Sequence, residues 1–198
     1  MVRAAGYKIF QLRGVEQQKY NIIYSDPPWK FNNKKTGGSM KSGADFHYPT
    51  MTIKQLCDLP VQNICTDNCT LFMWWVGSQP KAAITVAEAW GFEIVTMTGF
   101  DWVKLTKKGK LHFGMGFWTR AGSESCLIAT RGSQRRINAS VRAVIQCERL
   151  GHSKKPPEVR RRIIALMGDL PRAELFAREQ TPGWAVFGNQ VENSIQLP

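Results

Sequence analysis

The chain has 198 residues, 43% of them hydrophobic and 21% charged, and a net charge of +12. That length fits one domain, residues 1–198, with a sizeable core, and the composition excludes wholesale disorder. The sequence has neither a membrane-length apolar stretch nor the apolar core of a signal peptide, so a cytoplasmic protein is expected.

Residues 1–19 read as an N-terminal extension. The apolar run Tyr20-Asn21-Ile22-Ile23-Tyr24 predicts a buried strand, and Asp26-Pro27-Pro28-Trp29 follows it directly. Residues 30–45 are polar and rich in Gly, Lys and Ser, which predicts a long, flexible basic loop. Thr52 is placed to cap a helix through Ile53, Leu56 and Cys57. A second apolar strand is predicted over residues 70–76, and a helix over 79–90 ending at Gly91. Phe92–Val103 reads as strand, followed by a basic turn around Gly109. Ser125–Thr130 and Ala139–Ile145 read as strands flanking an Arg135-Arg136 loop. Pro157 suits the first residue of a helix through Ile163, Ile164 and Met167. Ala173–Phe176 and Trp184–Phe187 read as short closing strands.

Strands alternating with helices, several of them apolar on both faces, predict an α/β domain with a largely parallel, doubly covered sheet. Ligands in such sheets bind beyond the carboxyl ends of the strands, where Asp26 falls.

The excess of 27 basic over 15 acidic residues favours a polyanionic partner, nucleic acid before an anionic membrane. The basic groups cluster at Lys34-Lys35, Lys107-Lys108-Lys110, Arg131 with Arg135-Arg136, Lys154-Lys155 and Arg160-Arg161-Arg162. Five cysteines in or beside apolar segments read as reduced structural thiols. Cys65 and Cys69 lack a second pair at zinc-finger spacing, so no metal site is expected.

Asp26-Pro27-Pro28-Trp29 groups a carboxylate, two rigid prolines and an aromatic ring. The exocyclic amine of adenine is a poor nucleophile because its lone pair is delocalised into the ring. A site that activates it needs fixed acceptors for the amino hydrogens. The Asp26 carboxylate and the Pro27 carbonyl suit that task, and the prolines hold them without mobile side chains. Trp29 suits stacking on a base. The alternative is an ordinary Asp-Pro turn with Trp29 in the core.

The sequence resembles the adenine 6-amino methyltransferases that carry Asp-Pro-Pro-Trp, the family of the eukaryotic mRNA adenosine methyltransferase. Tyr48-Pro49-Thr50-Met51, Leu71-Phe72-Met73-Trp74-Trp75-Val76, Gly116-Phe117-Trp118-Thr119-Arg120 and Ser123-Glu124-Ser125-Cys126-Leu127 match its later segments in order. So do Lys155-Pro156 with Glu158, Glu174-Leu175-Phe176-Ala177-Arg178, Gly183-Trp184 and Gly188-Asn189-Gln190. The style is closest to short bacterial and phage DNA members.

The resemblance implies a Rossmann-like fold with permuted motif order and S-adenosylmethionine as methyl donor. It assigns Asp26, Pro27, Pro28 and Trp29 to catalysis. Tyr48 is expected to stack on the base, and Lys34, Lys35, Arg135 and Arg136 to hold the nucleic acid. Lys155 would meet the donor's carboxylate, and Glu174, Arg178, Asn189 and Gln190 its ribose and neighbouring groups, with Asp26 also beside the donor. Ile9 would reach the donor adenine through its backbone, because that stretch carries no acid. Read singly, Lys155 is also a solvated helix-start lysine, Glu174 and Arg178 a surface ion pair, and Asn189-Gln190 a turn.

The expected function is methylation of adenine at its 6-amino group in DNA, by a monomer or homodimer away from any membrane. The alternatives are the same reaction on RNA and a non-catalytic nucleic-acid-binding partner. A glutamine-specific protein methyltransferase fits less well, since such sites favour Asn-Pro-Pro-Tyr.

Overall fold

The computed structural model describes residues 18–30, 49–114, 118–149 and 154–197. In chain order the elements are β1 (Tyr20–Ser25), α1 (Ile53–Cys57), a 3-10 turn (Val61–Ile64), β2 (Cys65–Trp75), α2 (Pro80–Ala89), β3 (Glu93–Leu105) and β4 (Ser123–Arg131). They continue as β5 (Val144–Glu148), α3 (Pro157–Met167), β6 (Arg172–Leu175) and β7 (Ala185–Phe187). Among the described residues the strands form one seven-stranded sheet in the order β5-β3-β4-β2-β1-β6-β7.

β1 lies between β2 and β6, parallel to both, and is apolar on both faces for that reason. Successive residues supply opposite cores. Ile23, Leu71 and Met73 pack with Leu56 of α1 and Val86 of α2. Ile22, Tyr24, Phe72 and Trp74 pack with Val159 and Ile163 of α3 on the other face. Helices therefore cover both faces, as a Rossmann-like fold requires.

Local chemistry explains the helix ends. Thr52 closes a capping box with Gln55: the Gln55 N–H donates to Thr52 Oγ1 at 3.2 Å, and the Thr52 N–H donates back to Gln55 Oε1 at 2.9 Å. Gly91, at φ 83°, follows α2 in the left-handed region where only glycine sits without strain.

The sheet is mixed. β4 runs antiparallel to both β2 and β3, while the other neighbouring pairs are parallel. Between β3 and β4 the described residues hold no crossover helix, and such a connection yields antiparallel neighbours. The strand expected over Ala139–Ile145 starts only at Val144. The Ile137 N–H donates to the Leu166 carbonyl at 2.8 Å, and Asn138 Oδ1 accepts from the Ser140 N–H at 2.8 Å. Those bonds take the segment away from the ladder. Cys65 and Cys69 are buried free thiols, and the Cys65 thiol donates to the Val61 carbonyl at 3.2 Å.

β1, β2, β3, β5, β6 and β7 all point the same way, so one edge of the sheet collects their carboxyl ends. The antiparallel β4 brings its first residues, Ser123 and Glu124, to that same edge. So does the start of α3, which follows β5 and precedes β6.

Candidate active site

β1 delivers Asp26 to this edge. Ser25 is fully buried, whereas the Asp26 side chain keeps 28% of its surface open. The next residues are stitched down by their backbone. The Trp29 N–H donates to the Pro27 carbonyl at 2.8 Å, and the Met51 N–H donates to the Pro28 carbonyl at 2.8 Å. A carbonyl has two lone pairs, so Pro27 retains one for a further donor.

Trp29 is buried, and its indole N–H donates to the Trp74 carbonyl at 3.0 Å. The structure thus makes it the core residue of the alternative reading. The bond ties the residue after the Asp26-Pro27-Pro28 turn to β2 and leaves the ring 5% exposed.

Lys155, just ahead of α3, reaches Asp26. Its Nζ lies 2.7 Å from Asp26 Oδ2 and 3.2 Å from Glu124 Oε2, above the Trp74 ring. Lys104, near the end of β3, pairs with the other oxygen of Glu124. The result is a chain of alternating charge, Lys104–Glu124–Lys155–Asp26, drawn from β3, β4, the start of α3 and the end of β1.

The chain sets the protonation states. Burial raises the Asp26 carboxyl above the usual carboxylate range, and Lys155 opposes it. Burial also works against the Glu124 carboxylate, but Lys155 and Lys104 outweigh it and hold Glu124 below that range. Lys155 is held well above an ordinary lysine: Asp26 and Glu124 overcome its desolvation. It is a permanent cation at neutral pH.

Glu174, on β6, is not open to the edge. Both its oxygens accept from Arg160 at 2.7 Å, and the pair is buried under α3. Glu174 is thus in an ion pair, but a buried one with Arg160 and not the surface pair with Arg178. Arg178 lies beyond β6, where its charge lowers the Asp26 pKa. Asn189 and Gln190 are exposed directly after β7. Between them and Arg178 the chain is tightly apposed: the Ala177 N–H donates to the Phe187 carbonyl at 3.0 Å, and a Cβ on Gly188 would stand 2.0 Å from the Ala177 oxygen. Phe176 is held at φ 62° at the same place, a left-handed conformation that costs a bulky residue about 1–3 kcal/mol.

Arg135 and Arg136 lie elsewhere. They follow β4, whose first residues are at the Asp26 edge, so they emerge at the opposite edge beside the end of α3. From Glu124 to Arg131 the strand spans about 23 Å at the usual rise per residue. A base held at Asp26 is out of their reach. Ile9, Lys34, Lys35 and Tyr48 lie outside the described residues.

Sequence reasoning missed Lys104, Glu124 and Arg160. Glu124 sits within a block that matches the family, and no local signal assigns it a partner.

The MT-A70 family model matches residues 20–190. The chain belongs to the MT-A70 family. Asp26, Glu124, Lys155, Arg178 and Gln190 all fall within the matched span. Among its relatives, the Type II methyltransferase M.MunI of Mycoplasma sp is 34% identical over 92% of this chain and 82% of its own length. The N(6)-adenosine-methyltransferase MT-A70-like protein of Arabidopsis thaliana is 25% identical over 90% of this chain and 24% of its own. The human N(6)-adenine-specific methyltransferase METTL4 is 26% identical over 88% of this chain and 38% of its own. This MT-A70 chain therefore spans most of one relative and a minor part of the others. Among its described residues no helix is long and apolar enough to cross a membrane.

Proposed function

We propose that this protein transfers a methyl group from S-adenosylmethionine to the 6-amino nitrogen of adenine in DNA, in the cytoplasm. The observation that carries the proposal is Asp26: a partly open carboxylate at the carboxyl edge of the sheet, beside the Pro27 carbonyl and bonded to Lys155. Membership of the MT-A70 family supports it. The resemblance to short bacterial and phage DNA members favours DNA, the match over most of M.MunI supports methyl transfer, and the +12 charge suits a nucleic acid.

The donor set suits the proposed cofactor. A cation (Lys155), the Arg178 guanidinium, two exposed amides (Asn189 and Gln190) and the Asp26 carboxylate share one edge. A nucleoside with an amino-acid end offers hydroxyls, ring nitrogens, an amine and a carboxylate to match them. Lys155, Arg178, Asn189 and Gln190 would hold it; Glu174, already spent on Arg160, supports the floor beneath. When bound, S-adenosylmethionine supplies an electrophilic methyl group.

The chain supplies the rest. Asp26 accepts one amino hydrogen and the free lone pair of the Pro27 carbonyl accepts the other. These bonds localise the nitrogen lone pair and orient it. A carboxylate with a raised pKa, partly open to water, can take the proton shed by the amine and release it to solvent. Trp29 and Trp74 keep the acceptors in place, and Lys155 keeps Asp26 ionised between turnovers.

The test is methyl transfer from labelled donor to equal amounts of matched DNA and RNA strands in one tube. Label in DNA adenine supports the proposal. Label confined to RNA moves the substrate to RNA, and no label in either sinks it.

A further inference from the structure

Residues 106–114 leave the Asp26 edge after β3, and residues 118–122 return to it before β4. Their base is knit into the charge chain. The Lys104 N–H donates to the Gly122 carbonyl at 2.8 Å, and the His112 N–H donates to the Lys104 carbonyl at 2.8 Å. Lys104 is the residue that pairs with Glu124. The excursion therefore starts from the active site, unlike the Arg135-Arg136 loop.

Its outer part carries an unusual pair of properties. Trp118 is 101% exposed and Phe113 is 75% exposed, with the Arg120 guanidinium 5.2 Å from the Phe113 ring centroid. Single exposed apolar residues are ordinary, but two large aromatics in one short excursion are not. Lys107, Lys108 and Lys110 precede them, and the sequence has no Asp or Glu between Asp101 and Glu124. Lysine is depleted at protein–protein interfaces, whereas lysines interleaved with aromatic rings match a strand of phosphates and bases.

Resting on the reading of this protein as a nucleic-acid methyltransferase, we infer that this excursion is its nucleic-acid grip. Trp118 stacks on an unstacked base flanking the target adenine, and Lys107, Lys108, Lys110 and Arg120 hold the phosphates of the same strand. The positive charge that matters for binding is then at the active edge, and Arg135 and Arg136 contribute little.

The test is fluorescence anisotropy of a labelled single-stranded oligodeoxynucleotide containing adenine, titrated with full-length protein at several salt concentrations. Trp118→Ala is expected to weaken binding about tenfold or more, and Trp118→Phe to restore most of it. Replacing Lys107, Lys108 and Lys110 with alanine is expected to flatten the slope of log Kd against log salt by about 2, given about 0.7 per phosphate contact. Ile137→Ala, an exposed apolar control at the opposite edge, should bind as wild type. S-adenosylmethionine binding, by calorimetry, should be unchanged in all of them. If the Trp118 and lysine variants bind with wild-type affinity and salt slope while wild type methylates DNA, this inference is overturned and the proposed function stands. If Trp118→Ala weakens binding only because light scattering shows a changed oligomeric state, the excursion joins copies of the chain and the inference is again overturned. Failure of wild type to methylate any nucleic acid overturns both.

Discussion

Lys155 Nζ and Asp26 Oδ2 meet at 2.7 Å although 129 positions separate them in the chain. The contact joins the two halves of the proposed site, because Asp26 ends β1 and Lys155 opens α3. Lys155 also bonds Glu124, so it is shared between two carboxylates of different character. One is pushed up by burial and the other is held down by two ammonium groups.

That sharing predicts opposite shifts in the acid limb of activity. Asp26 must be ionised to accept from the amine, so activity rises with pH as Asp26 loses its proton. Burial places that limb above the pH where an ordinary aspartate titrates, about 3.9. Lys155→Met removes the cation that lowers the Asp26 pKa and should move the limb to higher pH by about one pH unit or more. Glu124→Gln removes a like charge and should move it to lower pH. Profiles of kcat/KM against pH for the three proteins check this; shifts in the same direction sink the account of the charge chain.

Glu124 should also act on stability. Its folded pKa lies below its unfolded value, so its contribution is present above the unfolded pKa and is lost as pH falls through the folded one. Glu124→Gln should cost about 1–2 kcal/mol at pH 7, a discounted value because the site is partly open. Urea unfolding should show that difference closing on acidification below about pH 4.

Glu174 and Arg160 are expected to behave as a structural pair. Glu174→Ala removes both 2.7 Å bonds of a buried guanidinium, leaves it only Glu179 at 3.8 Å, and should destabilise the protein by about 3 kcal/mol. Arg160→Met combined with Glu174→Leu should recover most of that loss, and donor binding should return with the fold. A double variant as stable as wild type yet unable to bind S-adenosylmethionine would instead make Glu174 a ligand.

Two glycines give a contrast in packing. A Cβ on Gly188 would stand 2.0 Å from the Ala177 carbonyl oxygen, and backbone cannot swing aside. Gly188→Ala should cost about 1–3 kcal/mol and weaken donor binding, since Arg178 and Asn189 flank the contact. Gly77→Ala meets nothing within 4 Å and should leave both unchanged. Thermal melts with and without S-adenosylmethionine separate the two outcomes.

The parts of the site that sequence exposes are those fixed by local chemistry. An apolar strand running into Asp-Pro-Pro locates Asp26, and Pro157 as a helix start locates Lys155 just before it. Glu124 and Lys104 sit in strands where nothing nearby marks them; the pairing of β3 with β4, which puts Trp102 opposite Glu124, brings them to the edge. The Arg160-Arg161-Arg162 run reads as one basic cluster, yet helical rotation buries Arg160 against Glu174 and leaves Arg161 76% exposed. Arg135 and Arg136 lie away from Asp26 for a similar reason. Their charge is plain in the sequence, but only the direction of β4 says which edge carries it.

The most direct test of the central claim is the amount of N6-methyladenine, by mass spectrometry, in DNA treated with wild type and with Asp26→Ala. Circular dichroism and thermal melting should show that the variant is folded. The site described here predicts N6-methyladenine from wild type and at least about 100-fold less from Asp26→Ala, because a preorganised acceptor is gone. Equal yields from the two folded proteins would contradict it.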